Sequence, residues 1–84
     1  MDKIELARSS NTPIEVLEKL ANDGEYSVRC IVAQNPNITV EVLEKLSNDE
    51  DCDVRCEVAY NPIIPKYIKT HLRYKNYLKC YEQD

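Results

Sequence analysis

Apolar residues recur along this chain with the period of a helix. Ile14, Leu17, Leu20 and Ala21 fall at i, i+3, i+6 and i+7, a stripe down one side of a helix. Val40, Leu43 and Leu46 repeat that stripe further along. Thr12-Pro13-Ile14-Glu15 reads as the opening of the first stripe. Thr is a good N-cap, Pro suits the first helical position, and Glu can close a capping box. A shorter apolar run follows each stripe, at residues 28–33 after Ser27 and at residues 54–59 after Asp53. Ser and Asp are both favoured N-caps. Each short run has to stop at Asn35 or Asn61, because the Pro that follows disfavours helical geometry there. The pattern therefore predicts helices near residues 13–22, 28–35, 39–48, 54–61 and 64–81, and no strand.

The stripes are copies of one another. Val16-Leu17-Glu18-Lys19-Leu20 recurs unchanged as Val42-Leu43-Glu44-Lys45-Leu46. Asn22-Asp23 recurs as Asn48-Asp49, Val28-Arg29-Cys30 as Val54-Arg55-Cys56, and Asn35-Pro36 as Asn61-Pro62. Every match has an offset of 26 residues. Carried backward, the register pairs Leu6-Ala7 with Val32-Ala33; carried forward, it pairs Leu46 with Leu72 and then fades. The reading is a single all-α domain over residues 1–84, made of about three tandem helix-pair repeats. A degenerate N-terminal repeat covers 1–27, a full repeat 28–53, and a C-terminal repeat with a divergent capping helix 54–84. No single helix here is long enough to be stable alone, so stacked neighbours have to supply the core.

Composition narrows the class. The chain has 84 residues, 43% of them hydrophobic and 31% charged, with a net charge of −4. That balance excludes a disordered tail and a strongly basic nucleic-acid binder. Gly24 is the only glycine, too few for the turns of a sheet protein. No stretch reaches 18 consecutive apolar residues, so no membrane span is expected. The opening MDKIELARSS lacks the apolar run of an export signal, so a cytoplasmic protein with free thiols at Cys30, Cys52, Cys56 and Cys80 is expected.

The order of these blocks resembles the leucine-rich repeat variant family. Val28-Arg29 and Val32-Ala33-Gln34-Asn35-Pro36, followed by Glu41-Val42-Leu43, carry the likeness. So do residues 54–62 and the string Thr12-Pro13-Ile14-Glu15-Val16-Leu17. The likeness covers roughly residues 6–72 and fades beyond Leu72. It implies a right-handed α-solenoid related in style to HEAT-like arrays, used as an interaction scaffold. Some members carry an iron–sulfur cluster on a separate cysteine-rich segment; no such segment is read here, and no cofactor is carried over.

Candidate chemistry adds little. Asp49, Asp51 and Asp53 open like a calcium loop, but Val54 stands where the turn needs Gly and Tyr60 where it needs a bidentate Glu. Cys52 and Cys56 are too widely spaced for the usual paired metal ligands. Cys30 and Cys56 occupy one repeat position and read as buried packing residues. His71 is the only histidine and has no nucleophile motif to serve. No catalytic residues, metal ligands or enzyme activity are expected.

Charge asymmetry points instead to recognition. Residues 1–65 carry 13 acids and 6 bases, whereas residues 66–81 carry five bases and no acid. Tyr67, Tyr74, Tyr77 and Tyr81 interleave with those bases. The expected partner is another protein, held by Lys66, Tyr67, Lys69, His71, Tyr74, Lys75 and Tyr81, as a small regulator or inhibitor would hold it. A second copy of the chain could occupy the same face as a homodimer. The alternative is a small nucleic-acid binder using the same basic, Tyr-rich helix. Asp23, Asp49, Arg29 and Arg55 recur one repeat apart and are expected to form a charge ladder between repeats.

Overall fold

The computed structural model describes residues 2–68. Five α-helices make up this region: α1 (Lys3–Arg8), α2 (Ile14–Leu20), α3 (Tyr26–Gln34), α4 (Val40–Leu46) and α5 (Cys52–Tyr60). Residues 66–68 are again helical, and no strand occurs among the described residues. The fold is all-helical, as the periodicity implies. The predicted helix over 64–81 falls mostly outside the described residues.

The helix starts differ from the expected ones. α3 and α5 begin two residues early, capped at Glu25 and Asp51. Asp51 takes the role expected of Asp53: its Oδ1 accepts from the backbone N–H of Asp53. Thr12 does not cap α2, whose N-cap is Pro13 and has no side-chain bond. The Thr12 hydroxyl donates instead to the carbonyl of Leu6, 2.6 Å away, and so ties the loop back to α1. One repeat later Thr39 stands at the Pro13 position and caps α4 in the ordinary way, accepting from Val42 N–H. α1 was not among the expected helices. Asp2 caps it by accepting from Glu5 N–H.

Helices α1, α3 and α5 pack on one another in succession, with α2 and α4 packed alongside them. Equivalent positions are buried alike. Val28 and Val54, Val32 and Val58, Leu17 and Leu43, and Leu20 and Leu46 all face the core. Ala7 and Ala33 are fully buried at another repeat position, where a small side chain lets neighbouring helices approach closely. Each buried Leu or Val contributes on the order of 1.5–3 kcal/mol from removed apolar surface. That gain holds helices of six to nine residues, too short to persist alone.

Two buried asparagines bind each repeat backward to the one before. Asn35 Nδ2 donates to the carbonyls of Ala7 and Ser9, at 2.7 and 2.9 Å, while its Oδ1 accepts from Asn37 N–H. Asn61 Nδ2 donates to the carbonyl of Ala33 at 2.7 Å, and its Oδ1 accepts from Ile63 N–H. The Asn-Pro block thus stops a helix and also supplies the side chain that fastens the stop to its neighbour. Asn37 adds a bond to the carbonyl of Ser10.

The cysteines need a correction. Cys30 and Cys56 were expected to be buried, but both are half-buried, as is Cys52. Their repeat column lies at the edge of the core. Burial, with nearby Glu57, Asp51 and Asp53 adding to it, still pushes the Cys30 thiol from 9.0 up to about 11. The expected result is slow alkylation of Cys30 at pH 8, by on the order of a hundredfold relative to the unfolded chain, since two pKa units remove that much thiolate. The linkage has a definite sign. Below pH 9 both states keep the proton and stability is intact; between about 9 and 11 only the unfolded chain ionises, and stability falls. Mass-resolved alkylation against pH measures both effects.

Candidate functional site: the charge ladder and the exposed end

A line of ion pairs runs along the loops that follow α2 and α4. In the first rung, Lys3 Nζ lies 3.0 Å from Asp23 Oδ2. In the second, Arg29 grips Asp49 with two bonds, Nε to Oδ2 at 2.8 Å and Nη2 to Oδ1 at 3.2 Å. Both bases sit at one repeat position and both acids at another. The structure brings Arg29 to the Asp49 carboxylate and not to that of Asp23, so each base pairs with the acid twenty residues on, within its own repeat. Its remaining Nη1 donates to the backbone carbonyl of Asp23, 2.6 Å away. Arg55 Nη1 makes the matching bond to the carbonyl of Asp49, at 2.5 Å.

Each acid also shapes its own loop. Asp23 Oδ1 accepts from Glu25 N–H, and Asp49 Oδ1 accepts from Asp51 N–H, both at 2.9 Å. These turns present the second carboxylate oxygen to the base of the rung. The Glu25 N–H and Lys3 hold the Asp23 carboxyl below its ordinary range, and Asp23 in turn raises Lys3. Asp49 raises the Arg29 guanidinium further. The rungs differ in their exposure: the Lys3 side chain is 53% exposed, whereas those of Arg29 and Asp49 are 11% and 9% exposed. The second rung is therefore the one with energetic weight.

Beside it lies an open groove of about 380 Å³, lined by Asp23, Arg29, Lys45, Asp49 and Glu50 among others. Asp51, Cys52 and Asp53 cluster nearby, with ligand atoms within 4.8 Å of one another. Asp49 and Asp51 already serve as bond acceptors for Arg29 and for backbone N–H groups, so the acidic triple has a structural use.

The matches with known proteins bear on these residues. Residues 26–51, from the start of α3 to the cap of α5, match the model of the leucine rich repeat variant family. The chain carries a leucine rich repeat variant unit. That unit contains Arg29 and Asn35, the side chains that join it to the residues before it, and the Arg29–Asp49 pair lies wholly within it. Leucine rich repeat variant units are generally protein-interaction modules and are not enzymes. No curated protein and no solved structure matches the chain. No helix among the described residues is long and apolar enough to cross a membrane.

Of the residues singled out for partner binding, the structure places two. Lys66 and Tyr67 stand exposed at the start of the last helical segment. Partial burial and the Glu44 carboxylate of α4, which accepts its hydroxyl hydrogen, raise the Tyr67 phenol. Lys69, His71, Tyr74, Lys75 and Tyr81 lie outside the described residues. Sequence reasoning missed Lys3 and the two asparagines. Carrying the 26-residue register one step back from Arg29 would have found Lys3.

Proposed function

We propose that the chain is a short right-handed α-solenoid of about three helix-pair repeats, and that it works as a protein-interaction module. In this reading it is one domain over residues 1–84, a small regulator or inhibitor that holds a partner protein at its C-terminal end. The observation that supports this is the exposure of large apolar side chains there. Tyr60, Ile63 and Tyr67 are 69%, 45% and 57% exposed within eight residues of sequence. The remaining exposed large hydrophobics among the described residues, Ile14 and Tyr26, stand apart from them in the chain. Aromatic side chains bring large contact area at low rotamer cost, which is why they anchor interfaces. Lys66, Lys69, His71, Tyr74, Lys75 and Tyr81 extend the same surface in this reading. The nucleic-acid alternative gains little from a chain of net charge −4.

The test compares the intact chain with a Tyr60→Ala/Tyr67→Ala variant as baits in extract of the source organism. A specific protein should be captured by the first and at least tenfold less by the second, with equal helical circular dichroism. Equal capture by both would move the surface elsewhere. Retention of oligonucleotides with a steep salt dependence would replace this reading with the nucleic-acid one.

A further inference from the structure

Arg55 begins a third rung. Its Nη1 rests on the carbonyl of Asp49 at 2.5 Å, as Arg29 Nη1 rests on that of Asp23 at 2.6 Å. The two guanidinium groups are thus anchored alike, and they part company at the opposite edge. Arg29 sends Nε into the Asp49 carboxylate. Arg55 Nε is buried and finds no acceptor among the described residues. The reason can be read in the register. The acid of a rung stands twenty residues beyond its base, Asp23 after Lys3 and Asp49 after Arg29. Twenty residues beyond Arg55 stands Lys75, which cannot accept.

A buried donor without an acceptor is costly, and a buried guanidinium edge has one well-matched partner class, a planar oxyanion. The second rung shows which one this scaffold accommodates. Its occupant is an aspartate on a loop held by an Asx turn, meeting the Nε edge of the arginine. We infer that Arg55 is a carboxylate-binding site, filled by an aspartate-bearing loop of a partner protein that completes the ladder from outside. The inference deepens the interaction reading and rests on it for the partner, while its chemistry can be tested without one.

The experiment uses the full chain labelled with ¹⁵N and follows its arginine Nε–H resonances. The probe is the tetrapeptide acetyl-Asn-Asp-Glu-Asp-amide, the sequence of residues 48–51. The expected result is a saturable shift at Arg55 with Arg29 unmoved, and at least tenfold weaker binding to an Arg55→Lys variant of unchanged helicity. A parallel titration with inorganic phosphate distinguishes a carboxylate site from a general anion site; an equal response overturns the assignment. So does an Arg55 resonance that the peptide leaves in place. The wild-type titration decides the matter even where the variant fails to fold. Saturable peptide binding with no captured protein would sink the module reading alone, and the reverse pair of results would sink this inference alone.

Discussion

Arg29→Ala lowers the stability of the folded chain by about 2 kcal/mol, and Lys45→Ala, on the exposed face of α4, by a few tenths at most. The figure lies between two limits. An exposed ion pair contributes about 0–1 kcal/mol, whereas breaking a fully buried pair costs about 3–5 kcal/mol. Arg29 and Asp49 are nearly sealed but flank an open groove, so an intermediate value follows. Losing the guanidinium removes three bonds at once, two to the Asp49 carboxylate and one to the carbonyl of Asp23. It also leaves Asp49 Oδ2 without the donor it has in the folded chain. For a chain of this length, total stability is of the order of 4–12 kcal/mol, so the loss is a large fraction of it. Urea titration of the two variants measures it. Equal midpoints would show that the ladder is ornamental.

Asn35→Ala costs more, about 3 kcal/mol. Asn35 is 1% exposed and uses both ends of its amide. The substitution strips donors from the carbonyls of Ala7 and Ser9 and an acceptor from Asn37 N–H. Each buried polar group left unpaired costs about 1–3 kcal/mol, and partial access of water to the Ser9 end keeps the sum from its maximum. Asn35→Asp is a sharper probe of the cause. It keeps the shape and the acceptor but points an oxygen at two carbonyl oxygens, so it should destabilise at least as much as Ala at neutral pH. Asn61→Ala, which loses a bond to one carbonyl and not two, should fall below Asn35→Ala. Thermal unfolding of the three variants checks the order, and Asn35→Asp melting like the parent would refute the account.

The repeat was the most legible feature of the sequence, because every block agrees on one offset and burial follows that offset. Leu17 with Leu43 and Val32 with Val58 are core at both positions. The helix starts were harder, for a physical reason. Asp49, Asp51 and Asp53 can each turn a chain, and local pattern alone does not decide which of them caps α5. The decision is made by Arg29, which engages Asp49 from the short helix twenty residues earlier and so fixes where the loop ends. Thr12 misled in the same way: its hydroxyl serves α1, a tertiary contact that no local rule anticipates. α1 was missed because residues 3–8 keep only part of the repeat motif. The ladder residues were visible as a set, but their pairing was open between Asp23 and Asp49 until the structure showed Arg29 on the Asp49 carboxylate and Arg55 on the Asp49 main-chain carbonyl.

The joints between units all run backward: an asparagine and an arginine both reach to main-chain carbonyls of the unit before. Backbone carbonyls are present whatever the neighbouring side chains are. A unit therefore asks almost nothing of its predecessor's sequence, and the acidic residue that its arginine engages is its own. Duplication of a 26-residue segment in frame would insert a new unit with both joints already made, and deletion of one would heal in the same way. Length in such a chain can drift under selection without renegotiating the core, and the exposed positions of each copy are free to diverge once the joints are kept.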